Sequence, residues 1–374
     1  MKWIWEQEDW PQFKYDATKF DSLEREFHRN AGLIIGALSG ASSDDVNELR
    51  VALLSNEAID TSKIEGEVLD RDSIQSSIRK HLGLQTDNRR AGPKEAGVSQ
   101  MMVDLYTNHR EPLAEERLFS WHKMIMNGRV DLEVTGGYRT HADPMQIVSG
   151  RLDMPKVFYE APPSSRVPEE MKKYIEWFNQ ATEHGLPTVV HAGIAHLYFE
   201  LIHPFEDGNG RIGRAIAEKA LAIGARQPLI TSLSSSLEQD KKAYYQALEQ
   251  ADTSIDITAW LIYFSGKVLE AQAHVQQMVS FIIDKARFFE KYGKILNERQ
   301  MKVALRMFKE GLNGFKGGLS AENYIRIAKT SRATATRDLS EMVETSALRK
   351  VGKLRHTRYY LALSSDDYND LLES

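Results

Sequence analysis

The chain has 374 residues, 48 basic and 53 acidic side chains, a formal net charge of −5 and no cysteine. That length exceeds one ordinary hydrophobic core and suits two or three domains. The lack of cysteine excludes disulfides, a thiol nucleophile and thiolate metal sites, and the slight acidity argues against wholesale nucleic-acid coating while leaving room for a local basic patch.

No apolar run approaches the roughly 20 residues of a membrane-spanning helix. The start, Met1-Lys2-Trp3-Ile4-Trp5-Glu6, lacks the basic-then-apolar order of a signal peptide. A cytoplasmic chain without a membrane partner is expected. Trp3, Trp5, Trp10, Pro11, Phe13 and Tyr15 form an aromatic opening whose density predicts an anchor to a core. Val46, Leu49, Leu53, Leu54 and Ala58 then recur at helical spacing. This helix runs into Thr61-Ser62-Lys63-Ile64-Glu65-Gly66, where the glycine ends it. A further helix follows Asp72, with Ile74 and Ile78 on one face.

From Lys94 onward the middle of the chain reads as helical, except for a Gly/Pro-punctuated stretch from Thr135 to Pro163. There Gln146-Ile147-Val148 and Lys156-Val157-Phe158-Tyr159 flank Ser149-Gly150-Arg151, the pattern of a short hairpin. Helices resume at Pro168 and run again from Thr188 to about Ile202. No strand–helix alternation exists, which argues against a parallel sheet. Near the C-terminus, a glycine-rich loop (Gly311 to Gly318) precedes two helices capped by Ser320 and Ser331. Two β-like runs follow, Ala347 to Val351 and Arg358 to Leu363, and the chain closes on an acidic tail, Asp366 to Ser374. Helix, turn, helix, basic hairpin is the layout of a winged helix.

The chemistry concentrates in His203-Pro204-Phe205-Glu206-Asp207-Gly208-Asn209-Gly210-Arg211-Ile212-Gly213-Arg214. Pro204 ends the preceding helix, and a new one starts near Asn209 or Gly210. Free amides at a helix start bind anions, above all phosphate. Arg211 and Arg214 add two guanidiniums on the first turn, making a polyphosphate site. Asp207 offers the hard oxygen ligand of a phosphate-bound Mg2+. His203, at the other end, is placed to take a proton from a hydroxyl. Gly208-x-Gly210-x-x-Gly213 also fits the dinucleotide pattern GxGxxG, which has meaning only after a strand, and these flanks are helical. A metal cluster of His191, His196 and His203 fails on helical geometry, because His191 lies well round the cylinder. His191 and His196 are therefore read as core or supporting residues.

This segment resembles the signature of the Fic family, His-Pro-Phe-x-Asp/Glu-Gly-Asn-Gly-Arg-x-x-Arg, at every defined position. Gly137-Tyr138-Arg139 and the hairpin resemble the family's flap, and Tyr244-Tyr245-x-x-Leu248 with Asp256-Ile257-Thr258-x-Trp260 resemble its closing helices. The resemblance implies a mainly α fold in three parts: an N-terminal helical region with an inhibitory helix (1–90), a Fic core with a hairpin flap (91–288) and a winged helix (289–374). It implies a Mg2+- and ATP-dependent protein adenylyltransferase acting on a Tyr, Ser or Thr hydroxyl of a target protein or of itself. His203 is the base and Asp207 the metal ligand. Gly208, Asn209, Gly210, Arg211 and Arg214 hold the phosphates, Phe205 packs the loop, and the hairpin aligns the target segment by strand addition. Kinase-like toxin members of the family carry Lys where this chain has Gly210, so glycine there resembles the AMP-transferring branch. Some relatives use another nucleotide or remove AMP, and those alternatives share the loop.

Thr61-x-x-x-Glu65-Gly66 is similar to the family's inhibitory pattern, Ser/Thr-x-x-x-Glu-Gly/Asn. By that resemblance Glu65 pairs with Arg214 and occupies the γ-phosphate site. A homodimer is expected from the resemblance alone. In the C-terminal part, Arg332 and Arg337 on the second helix and Lys353 and Arg355 on the wing are candidate contacts to duplex DNA. Protein contacts or a solvated face are the alternatives.

Overall fold

The computed structural model describes residues 2–87, 89–151, 154–181, 185–228, 230–312, 314–315 and 317–363; residues 148–151, 154–156 and 355 are described by their backbone only. The acidic run from Asp366 lies outside the described residues. Among the described residues the chain is mainly helical, with fourteen α-helices and two small antiparallel hairpins. No described helix is long and apolar enough to cross a membrane. The chain divides into two compact units, Met1–Leu33 with Arg50–Val275, and Ile34–Leu49 with Gln276–Ser374.

In the first unit the aromatic opening lies against the core, as its density predicts. Trp10 and Phe13 meet Tyr198 edge-on, with centroids 5.1 and 5.4 Å away. Helices α1 (Asp21–Leu38), α2 (Ser43–Ile64) and α3 (Arg71–His81) follow, the end of α1 and the start of α2 being counted with the second unit. α2 closes where glycine predicts. Gly66 has φ +83°, its amide donates to Lys63 O at 3.0 Å, and Glu67 N donates to Ser62 O at 2.9 Å. This is a Schellman turn, whose left-handed residue glycine adopts without a Cβ penalty. α3 begins at Arg71 rather than after Asp72, because the Asp70 carboxylate caps it by accepting from Ser73 N.

α4 (Pro93–Thr107) and α5 (Glu115–Ile125) lead to the hairpin of β1 (Gln146–Arg151) and β2 (Met154–Glu160). Ser149, Gly150 and Arg151, expected as its turn, instead pair in register with Lys156, Pro155 and Met154. Continuing the ladder satisfies their backbone groups, which outweighs the weak strand preference of Ser and Gly. Next come α6 (Val167–Gln180), α7 (Thr188–Ile202), α8 (Asn209–Ala225), α9 (Leu233–Gln239), α10 (Lys241–Ala251) and α11 (Thr258–Tyr292). Every residue of α7 except Glu200 is buried, as befits a helix that is apolar on all sides and central. α8 packs along it closely at two glycines, Gly213 against His196 and Glu200 and Gly224 against Thr188. The loop between these two helices is thereby held rigidly at both ends.

The second unit contains α12 (Glu298–Lys309), α13 (Ala321–Ala328) and α14 (Arg332–Glu344), then the hairpin of β3 (Leu348–Val351) and β4 (Arg358–Leu361). Ser320 and Ser331 cap α13 and α14 by accepting from Asn323 N and Thr334 N, as read from the sequence. Phe288, Tyr292, Val303, Phe308, Leu339 and Met342 form its core.

Candidate functional site

Two left-handed residues bound the loop between α7 and α8. His203 ends α7 at φ 49° and ψ 59°, a conformation that histidine enters more readily than most residues. Gly208 precedes α8 at φ +83°. Phe205 is fully buried and pins the loop from below, stacked on His122 at 4.2 Å. Asn209 pins it from within: its Oδ1 accepts from Phe205 N at 2.9 Å and its Nδ2 donates to Phe205 O at 2.8 Å. The Asn209 side chain was expected at the phosphates. The structure turns it to the loop's own backbone, which would otherwise be unsatisfied in a buried site.

Arg139 straps the same loop. Its Nε donates to His203 O at 2.8 Å, and its Nη2 donates to Pro162 O at 2.5 Å and Ile202 O at 3.3 Å. Its own amide donates to Pro204 O at 2.9 Å. The guanidinium therefore takes up the carbonyls that the broken helix leaves without partners.

The first intrahelical bond of α8 runs from Ile212 N to Gly208 O at 3.1 Å. The amides of Asn209, Gly210 and Arg211 precede it, a helix start of the kind that suits an anion. Arg214, only 1% exposed, points back to the same place. Its Nε donates to Thr61 Oγ1 at 2.8 Å, and its Nη2 donates to Thr61 O at 2.9 Å and Glu65 Oε1 at 2.7 Å. Burial works against its charge, but Glu65, with Tyr244 and Glu200, outweighs it and the guanidinium's pKa is raised. Thr61, Glu65 and Arg214 thus meet in one hydrogen-bonded cluster, and Gly66 gives the turn that follows Glu65.

Sequence reasoning missed three neighbours, Glu67, Lys94 and Arg129. Arg211, 5% exposed, donates from Nη1 to Glu67 Oε2 at 2.8 Å, and Lys94 Nζ donates to Glu67 Oε1 at 2.8 Å. Asp207 accepts from Arg129 Nη1 at 2.7 Å, and Arg211 Nη2 stands 3.6 Å from its Oδ1. Burial pushes the Asp207 carboxyl up, but the Arg129 hydrogen bond and the Arg211 charge outweigh it, and the group stays ionised more readily than usual. One signal was readable beforehand. Glu65 and Glu67 are two acidic residues at the C-terminal, negative end of α2, where the helix dipole disfavours them. A local rule broken in this way marks a tertiary partner.

His203 is 13% exposed by side chain. Its Nδ1 faces Glu200 O at 3.2 Å, which leaves Nε2 to face the site. Burial lowers its pKa to about 4, so the ring is neutral near pH 7, as a base must be. His191 and His196 are buried, and His196 Nε2 meets Tyr244 OH at 2.7 Å, consistent with supporting positions. Between the hairpin, the end of α7 and α10 opens a cavity of about 630 Å3, lined by Ile147, Phe158, Tyr159, Leu197, Glu200 and Tyr245 among others. That volume lies within the range of small-molecule sites. Burial raises the pKa of Glu200 there to about 8.

No group of three or more acidic or histidine side chains stands ready for a metal among the described residues. The lone carboxylate of Asp207 fits Mg2+, which commonly takes one or two carboxylates and completes its shell with phosphate and water. Arg211 Nε is buried without a protein partner, a donor left over for an anion. In the second unit Arg332, Arg337 and Lys353 are exposed, and the Arg355 side chain lies outside the described residues.

Residues 112–221 match the Fic/DOC family, and residues 3–84 match a domain of unknown function, DUF4172. The chain is 24% identical over 185 residues to protein adenylyltransferase fic-1 of Caenorhabditis elegans, covering 50% of this chain and 32% of that one. It is 26% identical over 200 residues to a probable protein adenylyltransferase of Aquifex aeolicus, covering 54% and 55%. It is 32% identical over 118 residues to protein adenylyltransferase Fic of Nematostella vectensis, covering 30% and 25%. The chain thus spans from a quarter to about half of the length of these relatives. A crystal structure of a Fic family protein from Desulfovibrio desulfuricans G20 has a TM-score of 0.54 at 21% identity, covering 94% of this chain and 98% of that one. At that identity the likeness concerns the fold. The chain carries a Fic domain with the Fic fold.

Proposed function

We propose that this Fic-domain chain is a protein adenylyltransferase, moving AMP from ATP to a Tyr, Ser or Thr hydroxyl of a target protein or of itself. One observation carries the reading. A neutral histidine, an open helix start and two buried guanidiniums converge on one loop, and the acceptors on those guanidiniums, apart from Thr61 on Arg214, are carboxylates from α2 and its turn. The amides of Asn209, Gly210 and Arg211 receive the phosphates, with Arg211 and Arg214 facing the two that leave. His203 Nε2 takes the proton of the incoming hydroxyl. The hydroxyl oxygen then bonds to the α-phosphorus, the bond to the bridging oxygen breaks, and pyrophosphate departs with that electron pair. Asp207 would hold a Mg2+, which supplies charge neutralisation on the phosphates. Positioning and charge compensation carry most of the rate.

Glu65 is the brake in this reading. Its carboxylate occupies the Arg214 guanidinium that the γ-phosphate needs, so ATP and Glu65 exclude one another. The test is intact mass after incubation with ATP and Mg2+ of wild type and Glu65→Gly, each with and without His203→Ala. An added AMP mass in Glu65→Gly that His203→Ala abolishes is the expected result. If no protein, alone or with candidate targets, gains mass with ATP, the activity falls. The same samples given other nucleotides, or an AMP-bearing protein, test nucleotide preference and AMP removal.

A second, separable role rests on the C-terminal unit. Three helices and a hairpin in this order, with Leu319 bridging to Tyr359, support a winged helix. Arg332 and Arg337 lie exposed at the start of α14, Ser331 capping it, where duplex DNA would be contacted. A salt-dependent shift on duplex DNA, lost in Arg332→Ala/Arg337→Ala, is the check. No shift at low salt refutes it.

A further inference from the structure

We propose that the Glu67 carboxylate is a second plug of the cradle, and that the place it fills between Arg211 and Lys94 is an anion subsite for the nucleotide's polyphosphate. The inference rests on the adenylyltransferase reading and extends it: the resting site has two locks, and one of its phosphate-binding groups is a lysine from α4.

The geometry is direct. Each oxygen of Glu67 meets one cation, Oε2 on Arg211 Nη1 and Oε1 on Lys94 Nζ, both at 2.8 Å. Two cations converging on the two oxygens of a carboxylate are equally suited to two oxygens of a phosphate. The amides at the start of α8 lie within one turn of Arg211, and Arg211 Nε is buried with no protein partner. Lys94 is also misplaced by local rules. It stands in the first turn of α4, at the positive end of that helix, where a cation is disfavoured unless an anion shares the spot. Glu67 answers for it now, and phosphate would answer for it when Glu67 leaves.

The two locks are mechanically joined. Glu65 and Glu67 flank Gly66 in the Schellman turn held by the bonds from Gly66 N to Lys63 O and from Glu67 N to Ser62 O. Unwinding that one turn withdraws both carboxylates together. Removing the Glu65 side chain alone leaves the turn, and with it Glu67, in place. A nucleotide entering such a site must still displace an anion from Arg211. Its apparent affinity is lowered by the fraction of molecules in which Glu67 has moved away.

The experiment uses the full chain carrying His203→Ala, so that ATP is not turned over. Binding of ATP with Mg2+, and of inorganic pyrophosphate, is measured by calorimetry. The variants are Glu65→Gly, Glu67→Ala, the pair of them, and the pair with Lys94→Met. Melting curves confirm that each variant is folded. The double variant is expected to bind ATP about tenfold tighter than Glu65→Gly, the scale of one charge-assisted contact. Lys94→Met is expected to weaken both ligands severalfold in the double background. Equal ATP affinity in Glu65→Gly and the double variant overturns the second plug. No effect of Lys94→Met in the double background overturns the lysine's place in the subsite. If pyrophosphate binds through Lys94 but no nucleotide does, the adenylyltransferase reading fails while the anion subsite stands; if neither binds to any variant, both fall.

Discussion

Gly210 offers a way to test the proposed brake without touching Glu65. It is the second residue of α8, in ordinary helical conformation, so alanine meets no backbone strain there. A Cβ built on it would lie 2.2 Å from Glu65 Oε1 and 3.0 Å from Arg214 Nη1. The carboxylate ends a flexible side chain that is 28% exposed, whereas Arg214 is buried and held by Thr61. Glu65 must therefore be the group that withdraws, by roughly 1 Å or more to reach ordinary contact distance, and its 2.7 Å bond to Arg214 breaks. A hydrogen bond to a charged group contributes about 1.5–3 kcal/mol, and partial exposure places this one near the lower figure. About 1.5 kcal/mol is roughly tenfold in the plugging equilibrium. The new methyl could also crowd the phosphates, so a double-mutant cycle is required. ATP affinity is measured, in the His203→Ala background, for Gly210→Ala, Glu65→Gly, both and neither. Gly210→Ala is expected to tighten binding about tenfold when Glu65 is present and to bring no gain when it is absent. Effects that simply add, or a Gly210→Ala protein that binds ATP like its parent, would refute the reasoning.

Three further outcomes are expected. Burial and then the neighbouring Glu218 raise the Glu57 pKa to about 8, against a carboxyl's ordinary value of 4.5. Between those pH values the folded chain binds a proton that the unfolded chain has lost, so stability falls as pH rises, by on the order of a few kcal/mol. Glu57→Gln should flatten the fall in melting temperature between pH 5 and pH 8, and an unchanged slope speaks against the assignment. With its pKa near 4, His203 stays neutral above about pH 5, so AMP transfer by Glu65→Gly should show no acid limb centred near 6.5; finding one refutes the neutral-base argument. Arg139→Met leaves the carbonyls of Ile202, His203 and Pro162 without the guanidinium that donates to them, and should cost about 3 kcal/mol or more. A melting midpoint equal to wild type contradicts the strap.

How much of this was readable beforehand depends on where the partners lie in the chain. The loop from His203 to Arg214 is contiguous, so its base, glycines and guanidiniums announce the chemistry together. The caps of α13 and α14 depend on residues three apart and were readable for the same reason. The hairpin was readable as a pair of strands but not in its full extent, because its register forms through cross-strand bonds. Asn209 shows the reverse difficulty. Its amide suits a phosphate and a buried backbone equally well, and only the burial of Phe205 decides between them.

Composition and motif by themselves determined the helical nature of the chain and pointed to the class of chemistry proposed here and to His203 as its proposed base, since each follows from residue type and short spacing. The pairing of Glu65 with Arg214 was accessible only through likeness to a known pattern, because 149 positions separate them. Glu67 on Arg211, Arg129 on Asp207 and the Arg139 strap were decided by tertiary structure alone. The reason is physical. An ion pair or a buried carbonyl selects its partner by distance and desolvation, and both are properties of the packed helices, which bring residues 65, 67, 94, 129, 139 and 211 around one loop.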